Sequence, residues 1–213
     1  MSNIKELRLE FQREGDLHVD NIIIVSHEHN YKKTKNTFVK VLETYPIRLG
    51  AGKEYWWGIN TKYSSSLQFG SSFDNESVVV DLDKSKEVPW NIFGFSPYQW
   101  MRVDLSSIYS TSALTFKLKA AQLPKLQAIL FAYTGKKRRL HKILNESHFI
   151  DRGNGVYEAY LPLKSLMGYS EFRWDALKEI RFKILEGTQC EIGDFELIEF
   201  RGNPQKPTEW NGI

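Results

Sequence analysis

Residues 177–200 read LKEIRFKILEGTQCEIGDFELIEF, and this run decides the fold. Ile180, Phe182 and Ile184 alternate with Arg181 and Lys183, the period of two that sends apolar side chains to one sheet face and charged ones to the other. Glu186-Gly187 interrupts the alternation, and because glycine takes positive φ without strain the pattern predicts a β-hairpin closing there. The run then resumes as a strand from Gln189 to Ile192, in which Cys190 reads as a small core residue rather than a nucleophile.

A near copy stands at the other end of the chain. Residues 4–25, IKELRLEFQREGDLHVDNIIIV, open on Lys5-Glu6-Leu7-Arg8-Leu9, which aligns with Lys178-Glu179-Ile180-Arg181-Phe182. After its own Glu14-Gly15 turn the copy places Asp20 opposite Asp194, with a one-residue insertion or deletion between the two matches. The shared opening and the shared aspartate favour a duplicated unit over the general likeness of two amphipathic hairpins. Residues 1–25 are therefore expected to be a β-hairpin, either the end of a preceding module or strands added to a single sandwich. An orphan hairpin is only marginally stable in water, which favours the second. Residues 26–40 are polar, basic and aperiodic, the composition of a linker. His27 and His29 flank Glu28 there with no third ligand nearby, which reads as solvated loop rather than metal site.

The body of the chain, residues 41–203, is a succession of short strand signals. Tyr55-Trp56-Trp57 is the first to carry chemistry: neighbours on a strand point to opposite faces, so at least one indole lies outside the core or at its margin. An exposed indole offers a sugar's C–H face apolar area to cover; in the alternative, both rings fill the core or the mouth of the sandwich. Residues 63–73 and 77–82 are short strands between Ser, Gly and Asp-Asn turn signals. The run NIFGFSPYQWM (91–101) is the richest aromatic patch, with Trp100 at its end, and such loop aromatics either line a cleft or plug the open end of a sandwich. SALTFKLKAA (112–121) alternates cleanly, Leu114, Phe116 and Leu118 inward and Thr115, Lys117 and Lys119 outward. LQAILFAYT (126–134) is apolar on both sides, a central strand whose Gln127, Ile129, Phe131, Tyr133 side or its opposite is covered. GKKRRLHK (135–142) reads as a basic hairpin tip, residues 150–155 as a turn, and VYEAYLPL (156–163) as a strand that Pro162 confines to an edge or an end. Residues 204–213 form a Pro/Gly-rich tail. Roughly nine or ten strands at this spacing, with no convincing long helix, make an all-β fold, an antiparallel β-sandwich of jelly-roll type.

Composition bounds the function. With 213 residues, 41% hydrophobic and 14% aromatic, the chain buries a substantial core. A net charge of +3 and a pI of 8.8 are too mild to demand nucleic acid, and GKKRRLHK lacks the interleaved aromatics of a single-strand binder. The lone Cys190 excludes an intrachain disulfide and gives no redox compartment. No stretch is apolar enough for a membrane span, and MSNIKEL has no signal-peptide core, so the protein is intracellular or the sequence is an excised piece.

The order of SALTFKLKAA, LQAILFAYTG, GVYEAYLPL and the W-D-A-L-K-E-I-R-F run ending on GDFELIEF resembles the galactose-binding-like jelly rolls of non-catalytic carbohydrate-binding modules attached to bacterial polysaccharide-degrading enzymes. Tyr160-Leu161-Pro162-Leu163, residues 175–182 and residues 191–195 match that family's closing motifs, and LHVDNI (17–22) matches the last of them again. The likeness extends loosely over residues 63–201. It implies a concave sheet that holds a polysaccharide or oligosaccharide, and a place within a larger secreted or cell-surface protein, cytoplasm being the alternative; charge and hydropathy, for their part, give no reason to expect a nucleic-acid or membrane partner. It also implies a structural calcium, for which Asp194 matches the last-strand aspartate and Glu43 is placed by position. An aspartate bonding the backbone at a turn is the competing reading of Asp194.

If the strands of Leu114 and Ile180 share the concave sheet, Lys117, Lys119, Arg181 and Lys183 make a basic face, and arginine's planar fork suits a carboxylate or sulfate. The expected ligand is then an acidic polysaccharide, with Trp56 or Trp57, Trp100 and Tyr133 as stacking surfaces. Two other classes stay open: a jelly-roll polysaccharide lyase or glycoside hydrolase, for which Glu158, Glu171, Asp175, His141 and His148 are present but gathered by no short motif, and a protein-binding assembly factor on the same fold.

Overall fold

The computed structural model describes residues 39–41, 45–50, 52–58, 67–74, 76–81, 92–133, 137–168 and 171–202. The chain divides into two units, Met1–Lys35 and Asn36–Ile213, and every described residue belongs to the second. The expected hairpin of residues 1–25, nearly all of the expected linker and the tail from residue 204 lie outside the described residues.

Among the described residues the strands are β1 (Val39–Val41), β2 (Ile47–Arg48), β3 (Trp56–Trp57), β4 (Leu67–Phe69), β5 (Ser77–Asp81), β6 (Ile92–Phe95), β7 (Arg102–Asp104) and β8 (Ser112–Lys119). There follow β9 (Lys125–Tyr133), β10 (Lys137–Leu144), β11 (Phe149–Gly153), β12 (Val156–Pro162), β13 (Met167–Gly168), β14 (Leu177–Glu186) and β15 (Gln189–Glu199). One sheet runs β1-β7-β14-β9-β10-β13, with β6 also on β14 and β3 on β6; the other runs β11-β12-β8-β15-β5-β4, with β2 on β15. β1 and β7 pair parallel and the rest antiparallel, so the expected antiparallel β-sandwich is what the chain forms. Val39 and Lys40, expected in the linker, already belong to β1. No helix among the described residues is long and apolar enough to cross a membrane.

The core lies between the sheets and is aromatic. Phe182 of β14 packs on Phe116 of β8 and Phe195 of β15, each with ring centroids 5.1 Å apart, and Phe95 packs on Phe195 at 4.9 Å. Each such side chain withdrawn from water contributes about 1.5–3 kcal/mol, so this cluster is the main bond between the two layers.

The run from Leu177 to Phe200 departs from expectation in one respect. Both strands and the turn stand where the alternation puts them, Gly187 at φ 136°, but β14 and β15 do not pair with each other. β14 sits between β6 and β9 in one sheet, β15 between β5 and β8 in the other. The turn is an arch from one layer to the next, which sets the apolar sides of the two strands face to face across the core. Of the basic tip expected at residues 135–142, residues 137–142 belong to strand β10: Leu140 and Leu144 turn inward while Arg139, His141 and Ile143 turn out. The charges masked an ordinary alternation. Residues 149–153 are likewise strand β11, the turn shrinking to Asn154-Gly155.

Candidate functional site

Register across the first sheet assembles its outer face. Trp57 lies opposite Gly94, Gly94 opposite Arg181, Arg181 opposite Ile129, Ile129 opposite His141 and His141 opposite Met167. These six form a single row from β3 to β13. One row along, Glu179, Phe131 and Arg139 are in register; the other way lie Ile92, Lys183, Gln127 and Ile143. Their neighbours Ile180, Phe182, Leu126, Ala128 and Leu130 are buried in the core, so these rows face away from it.

The centre of the face is built around Arg181. Its guanidinium carbon stands 5.1 Å from the Trp57 ring centroid and 4.0 Å from that of Phe131, a cation held between two rings. Glu179 fixes it there, accepting from Arg181 Nη2 at 2.9 Å and from Arg181 Nε at 3.0 Å. The same Oε2 accepts from Trp57 Nε1 at 3.0 Å, so one carboxylate orients both the indole and the guanidinium. Gly94 makes the approach possible: a Cβ there would stand 3.0 Å from the Trp57 ring and 3.0 Å from Arg181 Cγ. The product is a stacked slab in which Phe131 is buried under the guanidinium and Trp57 and Arg181 remain partly exposed, with cations at its border. Lys183 is half-buried beside it, Arg139 is exposed, and Tyr133 at the end of β9 is 43% exposed.

The large hydrophobics that stay exposed among the described residues are Trp100, Tyr133, Ile143 and Met167. Three of the four stand on this face by register, and Trp100 sits beside the start of β14, where Lys178 bonds its backbone oxygen. A hollow of 670 Å³ lined by residues such as Lys119, Asn154 and Thr188 lies instead at one end of the second sheet.

Of the residues expected at a binding site, Trp57, Tyr133, Arg181 and Lys183 come together here. Trp56 does not: it is buried in the core, its ring 4.5 Å from Phe95 and 5.7 Å from Phe195, its Nε1 bonded to Glu76. Alternation gives the two indoles opposite faces, and Trp56 takes the inner one. Lys117 does not either, since β8 belongs to the other sheet, and the joint basic face with Arg181 and Lys183 is ruled out. Phe131, Glu179, Gly94, Arg139, His141 and Met167 complete the surface; of these, sequence alternation shows only that Phe131 and Tyr133 share a side.

Asp194 stands in a bulge of β15 at φ 53°, and Lys117 Nζ donates to its Oδ2 at 2.9 Å. That bond raises the Lys117 ammonium above its ordinary pKa against the opposing effect of its burial. A hard cation asks for about six to eight oxygens, and here an ammonium already faces the carboxylate, so this donor set does not fit calcium. No group of three or more candidate metal ligands gathers among the described residues, and Glu43 lies outside them. The carboxylates considered for catalysis are dispersed: Glu158 pairs with Arg152 at 2.6 Å, Glu171 with Arg138 at 2.7 Å and Asp175 with Arg173. His148 is buried in a 3-10 turn against Asn145, and burial lowers its pKa. Cys190 is buried and its thiol is pushed up to about 12, which keeps it a core residue.

No family model matches the sequence, and no curated protein matches it. Among solved structures the chain is similar to a family 30 carbohydrate-binding module at 13% identity, covering 65% of this chain and 76% of that one with a TM-score of 0.49. It is also similar to the family 30 module of a cellulosomal cellulase of Clostridium thermocellum at 13% identity, 72% and 92% coverage and a TM-score of 0.48. A third likeness is to an agarase, at 13% identity, 74% of this chain, 26% of that chain and a TM-score of 0.47.

Proposed function

We propose that this chain is a non-catalytic carbohydrate-binding module that lays an acidic polysaccharide across the outer face of its first sheet. The observation that carries the reading is the stack Trp57–Arg181–Phe131, oriented by Glu179, in which Phe131 is buried beneath the guanidinium while Trp57 and Arg181 keep partial exposure. A pyranose ring presents flat C–H faces rimmed by hydroxyls, and such a face can cover the indole and guanidinium surfaces that Phe131 supports from beneath. Arg181 acts as part of the platform, since Glu179 already fills its fork. The positive charge for a uronate or sulfate comes from Lys183 and Arg139 at the border. Glu179 is an acceptor within this scaffold, and glycosidic chemistry asks for a second carboxyl about 5–9.5 Å across a sugar bond. A face that binds without reacting implies a further domain or protein that does the chemistry, which suits a module held on polysaccharide outside the cell.

Calorimetric titration against polygalacturonate, a carrageenan and a neutral mixed-linkage β-glucan tests this. Binding to an acidic polymer that falls at least about tenfold in Trp57→Ala, with the near-ultraviolet dichroism of a folded core retained, supports it. Preference for the neutral glucan removes the acidic ligand, and binding indifferent to Trp57 removes the site.

A further inference from the structure

Between β6 and β7 the chain turns through Tyr98, Gln99, Trp100 and Met101, the Met101 amide donating to the Tyr98 carbonyl at 2.7 Å. Both central residues take positive φ, Gln99 44° and Trp100 60°. Asn-Gly closes such a turn with least strain, because a Cβ crowds the backbone in that region. Here the two positions hold large side chains, and burial of the ring would be the ordinary compensation. Burial goes only part of the way: Trp100 keeps 36% exposure and meets Tyr55 edge-on, centroids 6.5 Å apart. The backbone is clamped instead by Lys178, which bonds the Trp100 oxygen and places its ammonium 5.8 Å from the indole centroid. Lys178 precedes Glu179, the carboxylate that orients Trp57, and its ammonium lies within the electrostatic reach of Glu179 and Arg102.

We infer that this turn presents Trp100 as a second stacking surface, past Glu179 from Trp57, so that the site takes an extended polysaccharide spanning both indoles in preference to a short oligosaccharide. The inference rests on the glycan reading of the first sheet. Backbone strain at a large side chain whose ring keeps an exposed part points to a side chain held for what it meets from outside. Lys178 then does two things: it braces the turn and keeps positive charge under the ring.

The test titrates the full chain, Trp57→Ala and Trp100→Ala with polygalacturonate and its trisaccharide, and with mixed-linkage β-glucan and cellotriose as the neutral pair. The expected result is about a tenfold loss of polymer affinity in Trp100→Ala with trisaccharide affinity unchanged, and loss of both in Trp57→Ala. Trp100→Gly supplies the structural readout: it relieves the positive φ and melts higher than Trp100→Ala. Polymer affinity that survives Trp100→Ala yet falls in Trp57→Ala overturns the inference and leaves the binding face standing. Equal loss of polymer and trisaccharide in Trp100→Ala overturns the dependence on length, and a Trp100→Gly variant melting below Trp100→Ala overturns the strain on which it stands. A chain that binds neither polymer, or whose binding ignores Trp57, overturns the face and this inference together.

Discussion

A Cβ on Gly94 would stand 2.8 Å from the Ile180 carbonyl oxygen as well as against Trp57 and Arg181, so backbone bars relief on one side and the binding slab takes the strain on the other. Gly94→Ala is expected to destabilise by about 1–3 kcal/mol and to weaken glycan binding together, read by denaturant melts and titration. Loss of stability with binding intact would show that the rings adjust without harm to the site. Glu191 makes a prediction of another kind. It is 9% exposed and accepts from the Ser72 amide at 2.7 Å and the Ser77 hydroxyl at 2.5 Å. Burial alone would push its carboxyl up, but these donors together outweigh it and hold the pKa below the ordinary 4.5. A depressed folded pKa contributes stability that is complete above about pH 4.5 and drains away as pH falls through the folded value. Glu191→Gln should cost about 1–3 kcal/mol at pH 7 and lose less on acidification, seen as melting curves that converge with wild type toward pH 3. Curves that stay parallel would assign the acid loss elsewhere. At this scale the sequence was half legible: alternation showed that Trp56 and Trp57 part company, but which one goes inward depends on Phe93, Phe95 and Phe195, brought there from far along the chain.

Strand β14 is the element on which core and site meet. Its even-numbered Ile180, Phe182 and Ile184 are at most 1% exposed, while Arg181 and Lys183 between them face outward. Phe182 touches Phe93, Phe116 and Phe195, so Phe182→Ala leaves a hole between the layers. It should cost about 3–5 kcal/mol by chemical denaturation, a large share of a domain's stability. A loss under 1 kcal/mol would mean that the cluster closes over the gap. The alternation of this strand was plain in the sequence, and its partners were not. Glu186-Gly187 gives one turn signal whether the chain doubles back in a sheet or arches between two, and the choice is made by β8 and β9, which claim the edges of β15 and β14. β10 was obscured for a related reason: with cations at Arg138, Arg139 and Lys142, its inward Leu140 and Leu144 are a sparse signal.

The two outer faces of the sandwich differ in how their charges are used. On the second sheet Lys117 meets Asp194, Arg152 meets Glu158 and Arg48 lies 3.7 Å from Glu196, a surface that largely neutralises itself. On the first, Glu179 answers Arg181 while Lys183 and Arg139 border the rings. Lys183→Glu should therefore weaken polygalacturonate binding several-fold and flatten its salt dependence, while Lys119→Glu on the opposite layer leaves both unchanged. Equal effects from the two reversals would mean that net charge, and no particular surface, attracts the polymer. The sandwich itself was legible because strand periodicity is local; the division of cations between layers was not, because it follows from long-range pairing. The parity of β14 carries one more consequence. Deleting a single residue between Ile180 and Ile184 would turn the ribbon over, driving guanidinium and ammonium into oil and hydrocarbon into water. Cohesion and recognition are obverse and reverse of one strip of backbone, so under saturating ligand the occupancy on a rising temperature ramp should follow the folded fraction through the melting transition.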